Sequence, residues 1–141
     1  MKYIVDSSLA FKWLVPEIDT DKAIRVRDDY RHGIHQLLAP DIFPTELAHA
    51  LTRAERTGRI AFHESLQLLA DALKLLPVLR DSLPVLPRAV EISSQTRVGV
   101  YDCLYVALSE QEQCDLLTAD DRLVAALQNR FPQIVALSSL P

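Results

Sequence analysis

Short apolar runs alternate with longer stretches of helical period along this chain. Lys2 to Val5 predicts a strand that closes on Asp6. Ser7 and Ser8 offer N-cap oxygens for a helix from about Leu9 to Leu14, which Pro16 stops. Asp19 to Asp21 open a second helix that runs to about Arg31, with Gly33 marking its end. Leu37 to Ala39 reads as a second strand. The next helix begins near Asp41, carries Pro44 in its first turn and ends at Gly58. Its Leu47, Ala50, Leu51 and Ala54 recur at helical spacing and predict a core-facing stripe. Phe62 to Leu76 forms another amphipathic segment, with Leu66, Leu69, Ala70, Leu73 and Leu76 as its expected stripe, stopped by Pro77. A short strand at Val78 to Arg80, a helix over Ser82 to Arg97 and a very apolar helix over Asp102 to Gln113 follow. A strand at Leu116 to Thr118, a helix at Asp121 to Asn129 and a last strand at Ile134 to Leu137 complete the pattern. Strands alternating with helices predict an α/β fold with a short parallel sheet, in a single domain over residues 1–141.

Composition narrows the classes. A hydrophobic content of 49% supplies a core and argues against disorder. No apolar run approaches the ~20 residues of a membrane span, and the N-terminus reads as a strand rather than a signal peptide. A soluble, cytoplasmic protein is the expectation. Cys103 and Cys114 form no disulfide framework and lack zinc-ligand spacing. A net charge of −4 excludes coating of nucleic acid by bulk electrostatics. It leaves room for a nuclease whose site is acidic by necessity. Arginines cluster at Arg25, Arg27 and Arg31 and again at Arg53, Arg56 and Arg59. Their forks match phosphate geometry, and each also suits a solvated helix face.

The candidate chemistry lies in carboxylates at strand ends and helix starts: Asp6, Glu46, Asp102 and Asp120. Each alone has a bland role as an N-cap or a favourable partner of a helix N-terminus. Glu46 borders a buried stripe, where an unpaired carboxylate is costly. Asp120 is followed by Asp121, and two adjacent acids exceed what capping needs. In an open α/β sheet the carboxyl ends of parallel strands share one rim, where such residues can meet. A cluster of this kind repels itself unless a cation compensates it, and hard oxygen ligands suit Mg²⁺ or Mn²⁺. That points to phosphate chemistry. Arg53, two turns after Glu46, is a candidate to hold substrate phosphates; a solvated face or a salt bridge to Glu55 is its alternative role.

The segments Tyr3-Ile4-Val5-Asp6-Ser7-Ser8, Tyr101-Asp102-Cys103-Leu104-Tyr105-Val106-Ala107-Leu108 and Leu117-Thr118-Ala119-Asp120, with Glu46 on a helix between them, resemble the PIN-domain ribonucleases. Within these the chain is most similar to the VapC-type toxins of toxin–antitoxin pairs. The resemblance runs over essentially the whole chain. It implies a three-layer fold with a short parallel sheet flanked by helices, and Mg²⁺- or Mn²⁺-dependent cutting of single-stranded RNA. It places the acidic set on Asp6, Glu46, Asp102 and Asp120, with Asp121 able to share or replace Asp120, and the hydroxyls on Ser7 or Ser8 and on Thr118. It also implies an antitoxin partner, docked in a groove beside the acidic site between the segments 19–31 and 41–58. A homodimer is expected from the excess of leucine over Phe62 to Leu76. The rival reading is a PIN-like scaffold that binds without cutting.

Overall fold

The computed structural model describes residues 1–141. Five strands, β1 (Lys2–Val5), β2 (Gln36–Pro40), β3 (Val78–Arg80), β4 (Asp115–Thr118) and β5 (Ile134–Ala136), form one sheet in the order β3-β2-β1-β4-β5. All pairings are parallel; Ile4 sits opposite Leu38 on one side and Leu116 on the other. β1, β2 and β4 are nearly continuous apolar runs, as strands covered on both faces must be. The edge strand β3 is exposed and ends in Arg80, whose Nε donates to Glu112 at 3.0 Å.

Helices α1 (Ser7–Leu14) and α2 (Thr20–Arg31) connect β1 to β2, and α3 (Phe43–Arg56) and α4 (Glu64–Leu73) connect β2 to β3. A 3₁₀ turn (Leu83–Val85), α5 (Leu86–Thr96) and α6 (Val100–Glu112) lead to β4, and α7 (Asp121–Leu127) leads to β5. The direction of travel across the sheet reverses between β1 and β4, so right-handed crossovers distribute the helices over both faces. α6 lies across β1, β2 and β4 with α5 packed on it, while α1 packs between α2 and α3, and α3 against α4. One core of 30 buried residues joins these layers.

The elements follow the expected order, with three local corrections. The N-cap of α1 is Asp6, whose side chain accepts from the Leu9 N–H, and Ser7 and Ser8 lie inside the helix. The segment expected as one helix from Ser82 begins as the 3₁₀ turn, where the closely spaced Pro84 and Pro87 remove backbone donors. The stripe expected to bury α4 is mostly exposed: Leu66, Ala70 and Leu73 face outward, and Leu68, Leu69, Ala72 and Leu76 pack inward.

Candidate active site

The reversal between β1 and β4 opens a crevice outside the strands' carboxyl ends, the usual ligand position in such sheets. Asp6 follows the last residue of β1 and Thr118 ends β4; Val5 pairs with Leu117, so the parallel register makes Asp6 and Thr118 neighbours. The Thr118 hydroxyl donates to Asp6 Oδ2, and the Ser8 hydroxyl donates to Oδ1 at 2.5 Å. The Leu9 N–H donates to Oδ1 at 3.4 Å. Thr118 Oγ1 also accepts from the Asp120 N–H at 3.0 Å. One hydroxyl thereby ties the end of β1 to the start of α7. Ser8 Oγ accepts from the Ala119 N–H at 3.1 Å and closes the same seam.

Asp120 caps α7, accepting from the N–H groups of Arg122 (3.0 Å) and Leu123 (3.3 Å). Asp121 is exposed in the first turn beyond it. Glu46 sits in the first turn of α3 and Asp102 in the first turn of α6, because α6 starts at Val100. Tyr105, one turn beyond Asp102, reaches across and donates its hydroxyl to Glu46 Oε1 at 2.6 Å. The ring is fully buried, so this bond fixes the Glu46 carboxylate against the core.

The structure thus gathers all four carboxylates expected from sequence into one electrostatic neighbourhood. Burial pushes the Asp6 carboxyl up to about 6, against the hydrogen bonds from Ser8, Thr118 and Leu9; Asp120 adds repulsion. Burial also raises Glu46, with Asp102 repelling it, and raises Asp102, with Asp120 repelling it. Burial holds the Tyr105 hydroxyl in its neutral, donating form, and the charges of Glu46, Asp6 and Asp102 reinforce this. No lysine or arginine forms an ion pair with any of the four; those bridges lie elsewhere. All-oxygen donors, mutual repulsion and no internal cation are the chemistry of a hard dication site. No three acidic, cysteine or imidazole side chains close on one point as ready-made ligands. The donor set therefore fits an ion held by one or two carboxylates at a time and completed by water, as Mg²⁺ commonly is.

A cleft of about 570 Å³ opens beside this pocket. Ser7, Ser8, Ala119 and Asp120 line one end, and Phe11, Lys12, Arg53 and Arg59 line the other. Its walls are α1 and α3, not α2, because α1 packs between them. Arg53 faces the cleft without an ion-pair partner. The salt bridge to Glu55 does not form; Glu55 accepts from the Ser65 N–H (3.2 Å) and hydroxyl (2.7 Å) instead. Of the candidate hydroxyls, Ser8 is bonded to Asp6 while Ser7 lines the cleft, and Thr118 is buried behind Asp6 rather than turned toward a substrate.

Sequence reasoning missed Tyr105 as a site residue, since it read as one more apolar position of its helix. Its signal was spacing: one turn after Asp102, it shares that residue's helix face. His49 was missed too; it lines the cleft and lies close enough to Glu46 to favour its charged form.

Fold and pocket together define a parallel α/β protein with a carboxylate cluster at the sheet's switch point. The chain belongs to the PIN-domain family, whose model, described as "PIN domain", matches residues 3–127. Its sequence relatives within that family are VapC ribonucleases. "Ribonuclease VapC3" of Pyrobaculum aerophilum is 30% identical over 137 residues, covering 96% of this chain and 98% of that protein. "Ribonuclease VapC1" of Mycobacterium tuberculosis is 41% identical over 91 residues, 62% of this chain; the chain spans 65% of that relative's length. Among solved structures, PAE2754 from Pyrobaculum aerophilum superposes with a TM-score of 0.70 at 23% identity, covering 99% of this chain and 94% of that one. The structure of VapBC2 from Rickettsia felis, bound to a DNA fragment from their promoter, superposes with a TM-score of 0.65 at 13% identity, covering 96% and 97%. Both structural likenesses concern the fold.

Proposed function

We propose that this protein is a metal-dependent endoribonuclease that hydrolyses phosphodiester bonds in single-stranded RNA, as the toxin of a cytoplasmic toxin–antitoxin pair. The observation that carries the reading is the uncompensated cluster of Asp6, Glu46, Asp102 and Asp120, in a chain whose relatives are named VapC ribonucleases. These four residues would hold Mg²⁺ or Mn²⁺. When bound, such an ion supplies a nucleophilic water at neutral pH and offsets charge on the phosphoryl oxygens. The chain's own residues do the positioning. Ser8 and Thr118 fix both oxygens of Asp6, and Tyr105 fixes Glu46. Arg53 lines the cleft and grips the phosphate that leads into the pocket. A scaffold without catalysis would have little reason to keep four carboxylates at such an electrostatic cost.

The antitoxin reading draws on the VapBC2 likeness and on charge. An acidic pocket at the end of an open cleft favours a basic side chain of a partner peptide, which would exclude RNA.

The test is incubation of purified protein with labelled single-stranded RNAs in Mg²⁺, in Mn²⁺ and in excess chelator. Cutting with either metal and none in chelator is expected. Asp102→Asn removes a ligand charge at an incompletely buried position, so it should abolish cutting with the melting temperature nearly unchanged. Full activity in chelator, or an active Asp102→Asn variant, would refute the assignment.

A further inference from the structure

The basic end of the cleft is built differently from a solvated helix face. The Arg59 guanidinium stands over the Phe11 ring, 5.4 Å from its centroid. Its Nη2 donates to Glu17 Oε2 at 2.8 Å. Glu17 is fixed in turn: its Oε1 accepts from Lys12 Nζ at 3.1 Å, and its backbone N–H donates to Thr20 Oγ1 at 2.9 Å. Lys12 Nζ also donates to the Ile18 carbonyl at 2.7 Å. A long side chain that normally samples many rotamers is thus held in one pose on a loop just beyond α3, while 48% of its surface stays open. The guanidinium is anchored at the ring and at the carboxylate, on the lining of the cleft.

We propose that Arg59, seated on Phe11 and pinned by Glu17, is a stacking platform for one base of the RNA strand entering the acidic pocket. The inference rests on the reading of the cleft as an RNA site. Single-stranded RNA is recognised by splaying bases onto aromatic rings or arginine planes. Stacking of this kind tolerates any base, because every base has a π face. The cleft volume of about 570 Å³ lies in the range that holds a small ligand such as a nucleotide. Its two ends divide the labour. Asp120 and its neighbours take the scissile phosphate with the cation, while Arg53 takes a flanking phosphate and Arg59 the base next to it. The Glu17 carboxylate offsets one of the two positive charges of Lys12 and Arg59 and holds both groups in place. The ion-paired guanidinium offers its plane to a base, and charge contact with phosphate falls to Arg53, which has no ion-pair partner.

That division makes the test. Binding of a labelled single-stranded RNA tetramer is measured in chelator, so that nothing is cut, alongside tetramers carrying one abasic nucleotide at each position in turn. For the wild-type protein, one abasic position should weaken binding about tenfold, the typical size of a base-stacking contribution. Arg59→Lys keeps the charge and loses the plane; it should bind the intact and abasic tetramers alike, with the salt slope unchanged. Arg53→Ala should weaken both tetramers equally and flatten the salt slope. Thermal melts of both variants check folding. Persistence of the tenfold discrimination in Arg59→Lys overturns the platform while leaving RNA binding intact. A wild-type protein indifferent to every abasic substitution does the same. Failure of the wild type to bind any tetramer overturns the RNA reading itself.

Discussion

Asp6 shows how one residue can be both legible and surprising. Its place after an apolar strand marked it in the sequence, yet the adjacent serines drew the cap away from it. The structure gives it both roles: it caps α1 and anchors the seam between β1 and β4. Burial raises its carboxyl to about 6. The folded protein therefore holds this proton more tightly than the unfolded chain does. Stability from that difference is present in full below the ordinary carboxylate range and is lost as pH rises through about 6. At neutral pH the buried charge costs on the order of 3 kcal/mol at most. Asp6→Asn should therefore be more stable than wild type at pH 7 in chelator and show a shallower fall between pH 4 and 7. Glu46 and Asp102, raised by the same cause, keep part of the slope. Thermal melts across that range measure it. Parallel curves for the two proteins would contradict the burial account.

At the scale of elements, the sequence was most informative where period and punctuation agreed. The strands were short apolar runs, and α3 carried Leu47, Leu51 and Ala54 into the core as its spacing required. α4 misled because its leucines lie on both sides of the helix. Period alone cannot say which side meets α3, and only Ala72 is buried. Helix starts were the other weak point: α6 begins at Val100, two residues before the expected Asp102. Its end falls where expected, at Gln113, in the left-handed region at φ 53°. A non-glycine residue there costs roughly 1–2 kcal/mol, against the extra entropy glycine loses on folding. Gln113→Gly should accordingly stabilise the protein by about 0.5–1 kcal/mol, without touching the distant carboxylate pocket. Chemical denaturation checks this, and a destabilised variant would show that the Gln113 side chain has a packing role that outweighs the strain.

The whole molecule explains why four acids spread from residue 6 to residue 120 could be read as one site. The carboxyl ends of parallel strands share an edge, and the switch between β1 and β4 places the crevice where Asp6 and Asp120 meet. The cleft beside it was less legible, because its walls depend on how α1 seats between α2 and α3, and helix packing leaves little trace in one sequence. No helix is long and apolar enough to cross a membrane. Phe62, just before α4, is 79% exposed, Leu66 73% and Leu73 49%. Leu66, Ala70 and Leu73 fall on one face of α4 at helical spacing, with Phe62 in the turn before it, and exposed apolar surface of this kind marks an interface. A second copy offers the same patch, and two-fold pairing lets each leucine row meet its counterpart. The protein should therefore sediment as a dimer at micromolar concentration. Leu66 lies in the first turn of α4, two turns before Leu73. In a two-fold contact Leu66→Glu would bring two like charges into an apolar interface, so it should shift the sedimenting species to monomer. Because Leu66 is exposed in the single chain, its melting temperature should fall only by what the lost association contributes. A wild-type monomer, or a Leu66→Glu protein of unchanged mass, would assign the α4 surface to some other partner.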